Sequence, residues 1–451
     1  MFGKKKSDYI ILGTGARLND PQRKKIQIVY PNSDRKGHFW CFGTTRVGKT
    51  KLAEIMMEQD IRQGRSVVFI DPKGDIEFFS KVVQVTFEEG RQEELIFITP
   101  IFPQYSAIID PLSHYFMPEE LVGHIVSGVE VGKEPFFYNV AYEISLVIVQ
   151  ALLLLAKHEG RPARFNLNDV KNRMSRSELE RLKSEVDSIG TEEAMQLSSD
   201  MQKILDSPPD YYGKVSSSLR VALVELTTGN IGKIIGKADE NRFIKRLEKG
   251  QRVIMVVHLG SLITRKAAFT VGKVIVSMIQ SFVGRVFASG RQVTPQLCLY
   301  IDEAQNVLYY GIDDLFAKAG GAGVWVHGFC QSVSQLYAEI GEDYGNAILD
   351  NTNTKLFMRV PDAKTAEYVA EHFGEKRVYS PILSLGGGVS SRELEEPVIK
   401  PSDVLNLPPR KFYMLTYKGS YIGKTADVSK LYVDIKFPNI ELDDEKEVVS
   451  A

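Results

Sequence analysis

One short stretch of the chain has the residue types and spacing that bind a phosphate group. Gly43-Thr44-Thr45-Arg46-Val47-Gly48-Lys49-Thr50 has the form G-x-x-x-x-G-K-T, between the apolar run Phe39–Phe42 and the helix-forming run Leu52–Met57. A strand, a glycine loop and a helix in this order are the context of a P-loop, whose backbone N–H groups face an anion. In such a loop Lys49 reaches the β- and γ-phosphates, and the Thr50 hydroxyl ligates Mg²⁺. A glycine turn without a ligand is the alternative, but the flanking elements favour a site for ATP and Mg²⁺.

Two carboxylates follow another apolar run. Asp302 and Glu303 come directly after Leu297–Ile301, which has the composition of a buried strand. In a P-loop enzyme, Asp302 would hold Mg²⁺ through its water shell, and Glu303 would polarise the attacking water as general base. Taken alone, the pair is equally well explained as a helix N-cap. Together with the upstream P-loop, it indicates hydrolysis.

An amide follows the next predicted strand, Val324–Phe329. Gln331 lies just beyond the end of that run, and ligands of open α/β sheets bind at the carboxyl ends of the strands. Gln331 is therefore a candidate to contact the γ-phosphate or the attacking water and to report hydrolysis. The alternative is a simple helix start with Ser332 as its cap.

A third polar turn, Asp71-Pro72-Lys73-Gly74-Asp75, follows the apolar run Ser66–Ile70. Lys73 could contact phosphate or DNA, and Asp71 could orient the P-loop or its metal. A tight capped turn explains the same residues equally well.

The composition is that of an ordinary globular protein, with 43% hydrophobic and 25% charged residues and a net charge of −1 in 451 residues. Any DNA contact must therefore come from local basic patches. Cys41, Cys298 and Cys330 form no C-x-x-C pair, which predicts buried thiols in the cytosol. The basic start Met1–Lys6 lacks the apolar run of a secretory signal, and Ile144–Ala156 is too short to span a bilayer and predicts a buried helix.

The chain alternates strands and helices except in its middle, which predicts an open α/β sheet with an all-α insertion. Strands are predicted at 26–30, 66–70, 95–98, 252–257, 297–301, 324–329, 355–359 and 412–417, and helices at 76–89, 143–158, 175–188, 192–205, 215–226, 266–288 and 363–373. The predicted division is 1–112 and 241–435 for the α/β part, 113–240 for the insertion and 436–451 for an acidic, solvated tail. A flexible glycine-rich loop is predicted over Ser384–Ser391.

Four motifs in their order and spacing resemble the conjugative coupling proteins, the TraD/TraG-type motors of type IV secretion, within the HerA–FtsK class of RecA-like ATPases. They are Gly43–Thr50 (GTTRVGKT), Phe69–Asp75 (FIDPKGD), Leu299–Gln305 (LYIDEAQ) and Cys330–Leu336 (CQSVSQL). Asn351–Lys355, followed by a strand, is similar to a later region of that family, and the likeness spans roughly residues 38–375.

The resemblance implies a RecA-like P-loop NTPase with a mainly parallel twisted sheet plus an inserted all-α domain. It also implies a homo-hexamer that moves DNA, here single-stranded and linked to a relaxase, with ATP. Relaxosome and type IV secretion proteins would be its partners, at the cytoplasmic face of the inner membrane. Rivals are another DNA-pumping motor of the HerA–FtsK class and an NTP-dependent docking module that does not translocate DNA.

Two features depart from the family. Its members usually carry transmembrane helices before the motor, and this chain shows none by itself, so it would be a naturally soluble variant, a shortened chain, or one anchored by a separate protein. Where the family tends to show an arginine, this chain reads Phe316–Gly321 without one. Candidates for an arginine that acts on the neighbouring subunit are Arg265, Arg359 and Arg377.

Local basic clusters and aromatic pairs are candidate DNA contacts. The clusters are Lys233–Lys237, Arg242–Lys249 and Thr264–Lys266, and the aromatic pair is Tyr309-Tyr310. A solvated helix face is the more ordinary interpretation of each cluster, and packing in the core is an equal alternative for the tyrosines.

Overall fold

Eleven strands form one sheet that is parallel on one side and antiparallel on the other, in the order β2-β1-β13-β12-β9-β3-β8-β7-β4-β6-β5. The structure is a computed structural model that describes residues 7–129, 136–235, 241–383 and 389–438. The strands are β1 (Tyr9–Arg17), β2 (Ile26–Pro31), β3 (Phe39–Phe42), β4 (Ser66–Asp71), β5 (Leu95–Ile98), β6 (Ile254–His258), β7 (Leu297–Ile301), β8 (Val324–Cys330), β9 (Thr354–Phe357), β10 (Glu375–Leu383), β11 (Val389–Pro397), β12 (Lys411–Thr416) and β13 (Gly419–Thr425). Strands β9 to β5 in the sheet order are parallel, and β2, β1, β13 and β12 add antiparallel pairs.

Helices cover both faces of this sheet. They are α1 (Asn32–Arg35), α2 (Lys49–Arg62), α3 (Ile76–Glu88), α4 (Pro118–Val126), α5 (Phe136–His158), α6 (Leu167–Asn172), α7 (Arg176–Asp187), α8 (Glu192–Leu205), α9 (Pro209–Val215), α10 (Ser217–Thr227), α11 (Gly229–Ile234), α12 (Arg242–Glu248), α13 (Arg265–Ala288), α14 (Asp313–Lys318), α15 (Val333–Ile340), α16 (Glu342–Asp350), α17 (Ala363–Phe373) and α18 (Pro401–Leu405), with short 3-10 turns at Gln92–Glu94, Pro103–Tyr105 and Ala304–Asn306.

The central strands are apolar along their whole length because both of their faces are buried. Strand β3 shows this clearly, since successive side chains point to opposite faces. Phe39 and Cys41 pack on the face covered by α2 and α3, whereas Trp40 and Phe42 pack on the face covered by α13. The predicted mainly parallel α/β sheet is therefore confirmed, and its fully buried strands explain why they could be located from sequence.

Between β5 and β6, every regular element of the described residues is helical, from the turn at Pro103–Tyr105 to α12. Helices α7 and α8 begin where predicted because Ser175 and Thr191 accept the backbone N–H groups of Glu178 and Ala194. The side chains of these helices belong to one hydrophobic core that continues onto the sheet. The division at residues 113 and 240 stays a prediction.

Two helices among the described residues, α5 and α13, are long and apolar enough by composition to cross a membrane. However, 50% of the 18-residue apolar stretch of α5 and 67% of that of α13 are buried inside the protein. Core helices pass the same test of length and hydropathy. Helix α5 contains the run Ile144–Ala156, and Ile144 and Ile148 are fully buried, as the sequence predicted for a core helix.

The sequence did not predict the strand β1. It pairs with both β2 and β13, and the pairing is close: a Cβ at Gly13 would lie 2.0 Å from the Lys424 carbonyl oxygen. Glycine is required at this approach, and Gly13 and Gly15 together break the apolar alternation by which a strand is found in a sequence.

The hairpin β10–β11 corrects the prediction of a loop over Ser384–Ser391. Strand β11 already begins at Val389 and pairs with β10 from Leu383 to Glu375. Residues 384–388, with Gly386–Gly388, lie outside the described residues. So do Met1–Lys6, the end of Lys233–Lys237 and the acidic run Glu441–Glu447.

The last described residues, 427–438, form an extended segment that we call the C-terminal strap. The buried Lys81 of α3 donates to the Ser429 carbonyl (2.8 Å), and the Gln84 side chain accepts the Tyr432 N–H (2.8 Å). Beyond them, the Phe437 ring stacks on Phe102 with 4.5 Å between ring centroids. Within the predicted solvated tail, Phe437 is thus packed against the body of the protein, whereas Lys436 and Pro438 are exposed.

Candidate functional site

The predicted site residues converge because they follow four neighbouring parallel strands. In the sheet, β3, β8, β7 and β4 lie side by side. Their carboxyl ends carry the P-loop, Gln331, the pair Asp302–Glu303 and Asp71, respectively. Residues that are separated by up to about 290 positions in the chain therefore meet at one edge of the sheet, as expected for an open α/β sheet.

The loop Gly43–Thr50 is held open by backbone hydrogen bonds to its neighbours. The Gly43 N–H donates to the Cys330 carbonyl (3.1 Å), and the Thr44 N–H donates to the Arg359 carbonyl (2.7 Å). Gly48 has φ 109°, which only glycine adopts without strain, and it begins α2. The loop thus leads directly into the first turn of α2, whose backbone N–H groups have no partner within the helix.

Lys49 is the buried cation of this loop, and its hydrogen bonds among the described residues go to backbone carbonyls. Its Nζ donates to the Gly43 carbonyl (2.5 Å) and the Thr44 carbonyl (3.0 Å). Burial lowers the pKa of Lys49, and the nearby Asp302 carboxylate opposes that effect. An anion would be a stronger partner than two carbonyls, so the ammonium is placed to exchange them for phosphate oxygens.

The two carboxylates at the ends of β4 and β7 are buried close to each other. Asp71 and Asp302 are 2% and 4% exposed. Burial and the neighbouring Asp302 raise the pKa of Asp71 to about 7, and burial raises the pKa of Asp302 against the attraction of Lys73 and Lys49. A positive ligand would stabilise both carboxylates in their charged form.

The donors fit a Mg²⁺ ion that is bound mainly by phosphate and water. No three His, Cys, Asp or Glu side chains form a metal-binding group in the part of the chain that the structure describes. Mg²⁺ commonly uses one or two protein oxygens with substrate phosphates and waters, and the half-buried Thr50 with Asp302 supplies such a pair.

Glu303 is held in a fixed direction at the end of β7. Its backbone is left-handed (φ 42°, ψ 49°), which is uncommon for a residue other than glycine. Its Oε1 lies 2.7 Å from the Lys73 Nζ and accepts a hydrogen bond of 3.4 Å from the Gln331 Nε2. Asn306 donates to the other oxygen at 3.3 Å. The carboxylate thus faces the same space as the P-loop.

The turn after β4 agrees with the capped-turn interpretation. The Asp71 carboxylate accepts the N–H groups of Lys73 (3.0 Å) and Asp75 (2.5 Å). Asp75 in turn caps α3. The Lys73 ammonium reaches Glu303 and not the P-loop, which links this turn to the candidate base. Ser332 likewise caps α15, so Gln331 stands directly before a helix start, and its role as a sensor stays a prediction.

Arg410 adjoins the P-loop without having been predicted. Its N–H donates to the Val47 carbonyl (2.8 Å), and its side chain lies beside Gly48. Its guanidinium binds Asp427 (2.6 Å), where the C-terminal strap begins. No local pattern around Pro408–Lys411 indicates this contact, because it depends on where β12 joins the sheet.

The three candidate arginines lie in different places. Arg359 borders this chain's own P-loop through its carbonyl. Arg265 lies over the Phe269 ring at 5.7 Å, and Arg377 on β10 pairs with Glu393 at 3.2 Å. None of the three is brought to the Asp302–Glu303 pair by the described contacts, so an arginine from a neighbour stays a prediction.

The candidate DNA contacts are largely engaged within the chain. Arg242 donates to the Glu93 carbonyl and Arg246 to the Arg252 carbonyl. Tyr309 donates to Gln280, and the Tyr310 ring packs between Tyr138 (5.1 Å) and Tyr344 (4.9 Å). The tyrosines therefore match the packed alternative.

Comparisons with known proteins agree with this fold and with two of the four motifs, Leu299–Gln305 and Cys330–Leu336. Residues 296–409, which include Asp302, Glu303 and Gln331, match the family model described as the TraM recognition site of TraD and TraG. The chain is 29% identical over 72 residues to the type 4 coupling protein DotL of Legionella pneumophila subsp. pneumophila. That match covers 16% of this chain and 9% of DotL.

Solved structures match over nearly the whole chain. The bacterial conjugative coupling protein TrwBdeltaN70 in complex with sulphate has a TM-score of 0.69 at 16% identity, over 95% of this chain and 92% of that chain. TrwB in complex with ADP and Mg²⁺ has a TM-score of 0.66 at 16% identity, over 96% and 98%. VirB4 of Thermoanaerobacter pseudethanolicus has a TM-score of 0.53 at 14% identity, over 95% and 99%. At these identities, the matches confirm the RecA-like P-loop fold.

Proposed function

We propose that this chain, whose resemblance to the TraD/TraG-type coupling proteins is supported by its sequence and by its fold, is an ATP-hydrolysing DNA translocase. The observation that carries the proposal is the convergence of Lys49, Asp302, Glu303 and Gln331 at one edge of the sheet. A cation for phosphate, a carboxylate for metal, a carboxylate for water and an amide between them are the groups that phosphoanhydride hydrolysis needs.

Each residue has a role that follows from its position. The Gly43–Thr50 loop binds the phosphates, with Lys49 at their β- and γ-oxygens. Thr50 and Asp302 hold Mg²⁺, which when bound neutralises charge that develops on the phosphates. Glu303 accepts a proton from the attacking water, and Gln331 orients that water or the γ-phosphate.

Resting contacts must change for this reaction. The Lys49 ammonium leaves the Gly43 and Thr44 carbonyls for phosphate, and the Glu303 carboxylate is shared between Lys73 and the attacking water. Both changes exchange one polar partner for another at the same side chain, so we propose that side-chain rotations suffice for them.

The chain is proposed to act as a homo-hexamer on single-stranded DNA attached to a relaxase. TrwB is described as a conjugative coupling protein and DotL as a type 4 coupling protein, which supports relaxosome and type IV secretion proteins as partners. The membrane association proposed for it is peripheral, at the cytoplasmic face of the inner membrane, with a separate anchor. The helical region between β5 and β6 is its proposed docking surface for cargo.

The test is ATP turnover by the purified chain with and without DNA. We expect hydrolysis that single-stranded or double-stranded DNA stimulates. A docking module that does not translocate would hydrolyse ATP without DNA stimulation, and absence of hydrolysis under all conditions would overturn the proposal.

Glu303→Gln separates binding from chemistry. The amide keeps the size of the side chain and its contact with Gln331 but removes the base. We expect ATP binding near that of the unaltered chain, with turnover lowered at least about a hundredfold. Loss of ATP binding would show that Glu303 serves the loop and not the water.

A further inference from the structure

Three glutamines form a chain of side-chain hydrogen bonds that ends on Glu303. Gln305 Nε2 donates to Gln335 Oε1 at 3.3 Å, Gln335 Nε2 donates to Gln331 Oε1 at 3.4 Å, and Gln331 Nε2 donates to Glu303 Oε1 at 3.4 Å. We propose that Gln335 and Gln305 are positioning residues that fix which end of the Gln331 amide faces Glu303 and the reacting phosphate. We call Gln305, Gln335 and Gln331 the amide relay.

The direction of the relay follows from chemistry. An ionised carboxylate only accepts hydrogen bonds, so Gln331 must present its Nε2 to Glu303. Its Oε1 then faces Gln335, which must donate, and the Gln335 Oε1 faces Gln305, which must also donate. One acceptor at the end therefore sets the orientation of all three amides, although an amide by itself fits either way round.

The supports of the relay are rigid. Gln335 lies in the first turn of α15, where its N–H is bound by the Ser332 cap at 3.1 Å. Gln305 lies in the turn Ala304–Asn306 that directly follows Glu303, and it is 6% exposed. Its own Oε1 is buried without a hydrogen-bond partner among the described residues. The Gln305 amide therefore makes its side-chain hydrogen bond to Gln335 through its Nε2, which orients this amide toward the relay.

The relay matters most when the γ-phosphate is present. Phosphate oxygens accept hydrogen bonds, as Glu303 does, so the same Gln331 Nε2 is the useful end for both. A flipped Gln331 would place its Oε1 against acceptors and would repel the group it should orient. Bonds of 3.3 to 3.4 Å are long at rest, and such contacts commonly tighten when substrate is bound.

The test compares two replacements of Gln335 and rests on the proposed ATPase activity. Gln335→Glu keeps the shape and the acceptor for Gln305 but presents an acceptor to the Gln331 Oε1. Gln335→Met keeps the approximate length and removes both hydrogen bonds. The relay predicts that kcat falls about tenfold in Gln335→Met and further in Gln335→Glu, while KM for ATP changes less than about twofold in both.

A merely structural role predicts the reverse order, because glutamate is the closer match in shape. Ala338→Glu, one turn further along the exposed side of α15, controls for an added negative charge and should leave kcat unchanged. Gln305→Met should lower kcat by a smaller factor than Gln335→Met, since it removes only the last donor. Melting temperatures of all variants are measured to confirm that each one is folded.

The outcomes separate the two proposals. An active unaltered chain with Gln335→Glu no slower than Gln335→Met, or with both at full kcat, overturns the relay and leaves the ATPase intact. Equal losses in the charge control and in Gln335→Glu overturn it as well. An unaltered chain without hydrolysis overturns the proposed function itself.

Discussion

The two ends of helix α2 lie in buried charge clusters that differ in how fully their charges are paired. The last turn carries Asp60, which with Arg35, Arg65, Tyr300 and His327 forms what we call the Asp60 cluster. The first residue is Lys49, which belongs with Asp71, Lys73, Asp302 and Glu303 to the Asp302 cluster. The helix is 14 residues long, so its two ends lie about 20 Å apart.

The Asp60 cluster is closed. Both carboxylate oxygens of Asp60 are bound by Arg35 at 2.6 Å, Arg65 binds one of them at 2.7 Å, and the Tyr300 hydroxyl donates to the other. Burial alone would raise the pKa of Asp60, but the two arginines hold it well below its ordinary range. Both oxygens of the Asp60 carboxylate are thus saturated by partners inside the protein, so neither remains for a ligand.

The Asp302 cluster is open. Asp71 and Asp302 have raised pKa values because they are buried near each other with too little positive charge. The Lys49 ammonium donates hydrogen bonds to the Gly43 and Thr44 carbonyls. The difference shows two uses of a buried carboxylate. One whose oxygens are fully bound by arginines stabilises the fold, whereas buried carboxylates with too few cationic partners mark the place where a charged ligand binds.

The largest expected effect is on stability at the closed end. Asp60→Asn leaves the fully buried Arg35 without its ion pair, which costs about 3–5 kcal/mol of unfolding free energy. Urea unfolding measures the loss, and ATP turnover per folded molecule should stay near that of the unaltered chain. A loss below about 1 kcal/mol would show that the Asp60 cluster does not hold the fold, contrary to the contrast drawn between the two clusters.

The next effect is on activity at the open end. Lys49→Ala should lower kcat by about 10²–10³-fold, because the phosphate loses its buried cation. Steady-state kinetics measures that loss, and the melting temperature should not fall, since a desolvated ammonium on neutral carbonyls adds little stability. A variant as unstable as Asp60→Asn would show that Lys49 holds the fold.

The two clusters should respond to pH in opposite ways. The pKa of Asp71 is raised to about 7, so its folded form keeps a proton that the unfolded chain has lost, and stability falls as pH rises from about 4 to 7. Asp60, with a lowered pKa, loses its stabilising contribution only as pH falls below about 4.

The substitution Asp71→Asn removes the contribution of the Asp71 carboxyl to the pH dependence of stability. We expect the unfolding free energy of the unaltered chain to fall about 2 kcal/mol more than that of Asp71→Asn between pH 5 and 8. Urea unfolding across this range measures the difference. Parallel pH profiles of stability for the two proteins would mean that neighbouring positive charges keep the pKa of Asp71 near its ordinary value.

The smallest change in stability is expected for the Tyr300 hydroxyl of the Asp60 cluster. Tyr300→Phe removes one hydrogen bond to Asp60 and leaves the arginine pairs, which should cost about 1 kcal/mol. Thermal unfolding measures this change. Because Asp302 lies only two residues further along, unchanged ATP turnover in this variant would show how sharply the two clusters are separated.

The sequence predicted the open end far better than the closed end. The P-loop, the Asp302–Glu303 pair and Gln331 are local patterns at strand ends, and each could be located without a partner. The Arg35–Asp60 pair, the Gln305–Gln335 contact across 30 residues and the place of Arg410 exist only once the sheet order is known. Residues 431–437 do alternate, since Leu431, Val433, Ile435 and Phe437 are half-buried and the residues between them are exposed. The sequence analysis missed this pattern, and the partners of the segment, which are side chains of α3, are known only from the fold.

The pairing of β1 with β13 means that this sheet includes strands from near both ends of the described chain, with Gly13 opposite Thr425. During synthesis the hairpin β1–β2 emerges long before β12 and β13. The antiparallel side of the sheet can close only after residue 425 has left the ribosome. We expect folding to be slow on this account, because its last step joins segments about 400 residues apart.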